Sequence, residues 1–422
     1  MQFVNRSTSG YFIALAAIFA IGVFLRLPPA LFDEGGALHA MAMFHPSPKW
    51  HDMRLVGVDE ELYRGYVSEV VNKGLFHYPD IVLEYIEKQV KLPGSILPPV
   101  RFLYIFAGYL WHTLFRTDEL TSLKSVSSFC SILTLAVAAA LAWRMRGPVW
   151  SVALSALVAF APTQIHMSQH ALVDGFFTFW ALLTVWMLWE SLQAPRHWGW
   201  LAGYTASLAL LVLTKENSFF VWVAIVLVLV ANRWLQYGTV SPELLMATVL
   251  GPILGVVTLV FLAGGLDVLL GTYRLLISKN YQLPYAIKTG DGPWHRYLVD
   301  LLLVSPVILL LAIGAVFRID LRKRPELFLL TFVAGSYLVM CNLKYGMNLR
   351  YANMWDVPLR FLALSTLASL IAPLRERRNL ILALAVAGIC LFEMRQYLIL
   401  FVQYPLYELV SEGLLRALHI LK

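Results

Sequence analysis

The residues best suited to chemistry are Gly57-Val58-Asp59-Glu60-Glu61-Leu62-Tyr63, an acidic run in a polar, proline-containing loop that follows the first apolar segment. Carboxylates can take a proton from a hydroxyl, and in a chain built almost entirely of apolar helices this run points to an enzyme working at a membrane surface. The run opens a short amphipathic helix over 59–73 that closes at Gly74, with Leu62, Tyr66, Val67, Val70 and Val71 on one face. That gives Asp59 and Glu60 a second reading, because carboxylates also favour the positive N-terminal end of a helix and cap it.

Other groupings carry the same double reading. Lys215 beside Glu216 reads as an ion pair fixing a helix end, and Arg350, flanked by Tyr345, Tyr351 and Trp355, as an anchor near the lipid headgroups. His166 and His170 stand four apart with Asp174 on the same side, but no further ligand motif is near. A divalent metal is therefore possible without being indicated, and no cofactor is implied.

The elements that must position these groups follow from composition. Apolar residues make up 59% of the chain and charged residues 14%, with a mean hydropathy of +0.68; a soluble fold could not keep such a surface wet, so an all-α polytopic membrane protein is expected. A span needs about 20 mostly apolar residues. Eleven segments approach that length, from 11–27 through 122–143, 149–162, 171–189, 201–213, 219–234, 244–264, 297–317, 327–341 and 357–372 to 379–391. The first is read as an uncleaved helix, since Arg26-Leu27-Pro28-Pro29 ends it without a small-residue cleavage site. Cys130, Cys341 and Cys390 all lie in or beside apolar segments and imply no disulfide framework.

Basic residues mark every second connection: Arg144 and Arg146, Arg196, Arg233, Arg318 to Arg324, and Arg375 to Arg378. By the positive-inside rule these face the cytoplasm, and topology accounts for the net charge of +7 better than nucleic-acid binding does. Segment 100–115 contains Arg101 and His112 and would invert every later basic loop if it spanned, so it is read as a juxtamembrane or re-entrant helix. The unusual polar residues then all fall in outer connections, within 28–121, 162–174, 214–217, 267–296 and 342–356. A transporter would instead place ionisable residues near the bilayer midplane, often in paired broken helices, and no such repeat is evident.

Arg26, Asp59-Glu60 with Tyr63, Gly74 and Leu97-Pro98-Pro99 together resemble the GT-C glycosyltransferases, and within them the protein O-mannosyltransferases and the aminoarabinose transferases of lipid A. Ala161-Pro162 with Ser168, Ala171 and Asp174, then Leu213-Thr214-Lys215, Trp294 with Tyr297, and Arg350-Tyr351 with Pro358 extend the resemblance over most of the chain. The resemblance implies a GT-C domain over 1–403 and an enzyme of the cytoplasmic (inner) membrane. Its active site would face the extracytoplasmic side, with 28–121 as the catalytic loop. The enzyme would move a sugar, with inversion, from a polyprenyl-phosphate donor to a protein, lipid or glycan acceptor, with Asp59 as general base, Glu60 beside it and Asp33 as the second choice.

The family's lysine before the paired prolines is Leu97 here, so the donor phosphate falls to Lys215 or Arg350, with Lys344, Lys91 or Arg101 as further cations. Tyr63, His166, Gln169, Asp174, Trp294, Tyr297 and Tyr351 are expected to line the substrate cleft, where Trp294 or Tyr297 would stack on a sugar ring. The rivals are a lipid-linked-sugar transporter and a glycan ligase using a polyprenyl diphosphate. Residues 404–422 read as an amphipathic helix lying on the membrane surface.

Overall fold

The computed structural model describes residues 6–46, 57–318, 320 and 322–421, so part of the expected catalytic loop, 47–56, lies outside the described residues. Among the described residues there is no strand. Helix α1, Arg6–Arg26, leads into the first loop, whose helices are α2, Val58–Lys73, α3, Tyr78–Lys91, and α4, Phe102–Phe115. There follow α5, Glu119–Arg146, α6, Pro148–Ala159, α7, Pro162–Gln169, α8, Val173–Gln193, α9, Trp198–Thr214, and α10, Ser218–Leu235. Helix α11, Pro242–Ala263, leads to α12, Leu266–Asn280, α13, Pro284–Thr289, α14, Arg296–Val304, and α15, Pro306–Val316. The chain closes with α16, Arg324–Met340, α17, Asp356–Ile371, α18, Arg378–Tyr397, and α19, Ser411–Ala417.

Every one of the eleven expected segments falls on helix. Among the described residues six helices are long and apolar enough to cross a bilayer, or seven if the bent pair α6 and α7 is one span, so length and composition there reach fewer than the eleven spans expected. The expected span 297–317 is two helices, divided at Ser305-Pro306 because proline has no amide hydrogen to continue the ladder.

The bend of 57° between α6 and α7 is where local chemistry first shapes the site. Pro162 breaks the ladder, where Val158 O keeps only a backbone bond from the Ala161 amide at 3.2 Å, and carbonyls at such a buried break are costly unless further donors reach them. Two fully buried arginines satisfy them: Arg26 donates to Val158 O at 2.7 Å and Ala159 O at 2.9 Å, and Arg360 to Leu157 O at 3.1 Å. Arg26 also reaches Ser131 Oγ at 2.9 Å, while Arg360 is paired with Asp356 and Glu393. The arginine that ends α1 thus fixes the direction in which α7 leaves.

Basic connections collect at one end of the bundle. Arg144 pairs with Glu190 at the end of α8 at 2.7 Å, Arg146 with Glu326 at the start of α16, and Lys323 donates to Ser369 near the end of α17 at 3.2 Å. Residues 404–410 differ from the expected single helix: α19 covers only Ser411–Ala417, and 404–410 form an irregular strap. Tertiary contacts hold it that way, with Leu406, Leu409 and Val410 buried and the Leu349 amide donating to Leu409 O at 3.2 Å.

Candidate active site

Helix α2 begins as its sequence demands. Glu60 accepts from the Gly57 amide at 3.1 Å, closing the first turn, and Gly74, at φ +84°, ends the helix in a conformation that favours glycine. Glu60 also accepts from the Ala171 amide at 2.6 Å and lies 3.4 Å from His170, which fastens α2 to the turn between α7 and α8. Burial raises the pKa of this carboxyl, but His170, Lys124 and the Ala171 amide outweigh it and bring it down to about 2. Glu60 is a structural tie. Gly57 is required for a different reason: a Cβ there would lie 2.3 Å from the ring of Tyr407.

Asp59, one residue earlier and about 100° away around the helix, faces elsewhere. Its carboxylate lies 3.0 Å from Arg350 Nη2 and is 24% exposed, whereas the Arg350 side chain is 4% exposed. One turn on, the hydroxyl of Tyr63 accepts from Arg101 at 2.7 Å, and Arg101 holds Glu216 through two nitrogens. Burial works against the charge on Arg101, but Glu216 and Tyr63 hold its pKa well above the ordinary arginine value. The segment that delivers Arg101 is pinned by Tyr66 on Leu97 O at 2.7 Å and Tyr78 on Pro99 O at 2.6 Å.

The turn after α9 brings the second cation. Lys215 has an extended backbone, φ −165° and ψ 149°, so its side chain and that of Glu216 diverge. Lys215 donates to Asp174 at 2.5 Å and sits 4.0 Å above the Tyr351 ring. Its expected partner, Glu216, is taken by Arg101 instead. Burial lowers the Lys215 pKa, and the charge of Asp174 opposes it.

Arg350, on the 3₁₀ turn Leu349–Trp355, joins these parts. Its Nη2 serves Asp59 and, at 3.2 Å, Glu408 of the C-terminal strap; Nε is 3.8 Å from Asp174, beyond hydrogen-bond reach. Nε and Nη1 are buried without a hydrogen-bond partner among the described residues. A guanidinium so placed is a ready anion-binding group. Asn348 orders the corner, accepting from the Arg350 amide at 3.0 Å and donating to Glu408 at 2.6 Å. Around this centre stand Arg101, Lys215 and Arg350 against Asp59, Asp174, Glu216 and Glu408.

Several expected site residues are placed elsewhere. Asp33 and Lys344 are exposed and enter no ion pair of this cluster, and Lys91 is exposed at the end of α3. Trp294 is exposed, while Tyr297 is fully buried against Trp355, so the two do not form a joint stacking face. His166 stacks on Phe401 at 4.2 Å and donates to Tyr407 O at 3.1 Å, and Gln169 bridges Leu25 O and the Tyr397 hydroxyl; both support the site from behind. Among the described residues no group of three or more His, Cys, Asp or Glu side chains is placed to hold a metal. Tyr407, Glu408 and Asn348 were not legible as site residues. Glu408 falls in an amphipathic pattern that any surface helix would show.

Comparison with known proteins agrees with the resemblance. The sequence model of the dolichyl-phosphate-mannose-protein mannosyltransferase family matches residues 76–266. The fold matches ArnT from Cupriavidus metallidurans in the apo state with a TM-score of 0.53 at 14% identity, over 98% of this chain and 76% of that one. The same protein bound to undecaprenyl phosphate matches with a TM-score of 0.51 at 14% identity, over 94% and 71%. The oligosaccharyltransferase AglB from Archaeoglobus fulgidus, in complex with an inhibitory peptide and a dolichol-phosphate, matches with a TM-score of 0.58 at 14% identity; this match covers 95% of the chain and spans only 56% of that protein. The chain has a GT-C-like fold. No curated protein sequence matches it.

Proposed function

We propose that this protein is a glycosyltransferase that moves a sugar from a polyprenyl-phosphate donor to an acceptor hydroxyl on the extracytoplasmic side of the cytoplasmic membrane. The observation that carries this reading is the Arg350 guanidinium, buried with two nitrogens unpartnered among the described residues and with the partly accessible carboxylate of Asp59 on a third. An anion seat and a proton acceptor therefore share one cation. The lipid phosphates in the ArnT and AglB structures support the choice of anion.

In this mechanism the acceptor oxygen attacks the anomeric carbon from the face opposite the phosphate, and Asp59 takes its proton. The bond from the anomeric carbon to the phosphate oxygen breaks, so the configuration inverts and the polyprenyl phosphate leaves with the electron pair. Arg350 and Lys215 hold the charge that develops on it. Asp59 is poised for this role by its position in the first turn of α2 and by its access to solvent. Glu60, one residue on, is committed to backbone amides.

Incubating purified protein with labelled polyprenyl-phosphate sugars and envelope acceptors tests the proposal. The wild type should form a new glycosidic product, and Asp59→Asn should insert and bind donor but lose about 10²-fold or more of turnover, the scale of a general base. Undiminished turnover in Asp59→Asn would remove the base. Movement of the donor between leaflets without a new glycosidic bond would favour a transporter.

A further inference from the structure

The C-terminal strap reaches into the centre of the site. Glu408 Oε1 lies 3.2 Å from Arg350 Nη2, the same nitrogen that faces Asp59, and Glu408 Oε2 accepts from Asn348 at 2.6 Å. Asn348 also fixes the Arg350 amide, so a single side chain sets both partners. Tyr407, next to Glu408, lays its ring 5.7 Å from the guanidinium and leaves its own hydroxyl buried without a partner among the described residues. The strap is thus part of the wall around Arg350.

Arg101, Lys215 and Arg350 already face Asp59, Asp174, Glu216 and Glu408, three positive groups against four negative. A lipid phosphate adds at least one further negative charge in a poorly hydrated place, where like charges repel strongly. One carboxylate has to withdraw. Asp59 and Asp174 sit in the first turns of α2 and α8, and Glu216 is held by Arg101. Glu408 stands on irregular backbone, 23% exposed, with solvent beside it.

We propose that Glu408 is a gate on the donor site: its carboxylate sits on Nη2 of the guanidinium whose other two nitrogens seat the lipid phosphate, repels that incoming anion, and must swing out for the donor to bind. The proposal rests on the reading that Arg350 binds the donor phosphate. It makes Glu408 a residue that opposes donor affinity while keeping Arg350 in place, and so favours ligands whose phosphate competes well for a guanidinium.

The test is binding of undecaprenyl phosphate to the full-length protein, compared among wild type, Glu408→Gln and Arg350→Gln. Glutamine removes the charge and keeps an oxygen for Asn348. A contact formed roughly nine-tenths of the time weakens apparent affinity about tenfold, so Glu408→Gln should bind about tenfold more tightly than wild type. Arg350→Gln should lose binding. Should Glu408→Gln bind equally or more weakly while Arg350→Gln loses binding, Glu408 is only a support for the arginine; the gate is then excluded and the donor reading stands. Unchanged binding in Arg350→Gln would remove the donor reading and the gate with it. Glu408→Ala, assayed for a folded thermal transition, gives the same reading of affinity if the glutamine variant does not accumulate.

Discussion

Lys215 and Asp174 form a buried pair whose two possible roles separate only in combination. Removing the lysine alone leaves a carboxylate that is 4% exposed with only the more distant Arg350, 3.8 Å away, and breaking such a pair costs about 3–5 kcal/mol whatever the lysine does in turnover. Lys215→Met should therefore show both a lower thermal transition and poor use of the lipid donor. Adding Asp174→Asn removes that carboxylate's charge and should recover most of the stability. If Lys215 also touches the donor phosphate, the double variant stays impaired in donor KM. Recovery of both properties would make Lys215 a structural partner of Asp174 alone.

At the scale of the element, α2 is fastened by Glu60 rather than by its neighbour Asp59, the proposed base. The folded carboxyl titrates at about 2, below its ordinary value of 4.5. A depressed folded pKa contributes stability that is complete above the unfolded value and is lost as pH falls through the folded one. The contribution is on the order of 3 kcal/mol. Glu60→Gln should accordingly lower the thermal transition at pH 7, and the gap to wild type should close as pH falls from about 4.5 towards 2. A gap independent of pH would mean that shape, not charge, secures the helix. The same fastening explains why Asp59 points where it does, since turning α2 to satisfy Glu60 fixes the direction of its neighbour.

Across the whole molecule the connections sort by end. Arg144, Arg146 and Lys323 meet Glu190, Glu326 and Ser369 at one end, while Asp59, Lys215, Arg350 and Glu408 meet at turns of the opposite polarity. In the proposed orientation, which follows the positive-inside rule, the first end is cytoplasmic. Single cysteines at exposed Phe76 and Arg196, introduced after Cys130, Cys341 and Cys390 are replaced, should label from opposite sides of the membrane with an impermeant thiol reagent. Phe76→Cys should react from outside. Labelling of both from one side would overturn the assigned orientation.

The amino-acid sequence by itself determined the membrane class, the position of the long apolar helices and the bounds of α2, because hydropathy, proline and glycine act over a few residues. It also singled out Asp59, Lys215 and Arg350. Only the tertiary structure decided their partners. Lys215 and Glu216 are neighbours in the chain, yet an extended backbone turns them apart, one to Asp174 and the other to Arg101. Asp59 and Glu60 are neighbours too, and helical rotation gives one to Arg350 and the other to the Ala171 amide. Glu408 shows the limit most clearly: its amphipathic surroundings predict a surface helix, whereas the backbone bond between Leu349 and Leu409 carries it to Arg350. Local patterns record which residues are apolar and where a helix ends. Which charge meets which depends on contacts between segments far apart in the chain, and only the packed bundle brings those segments together.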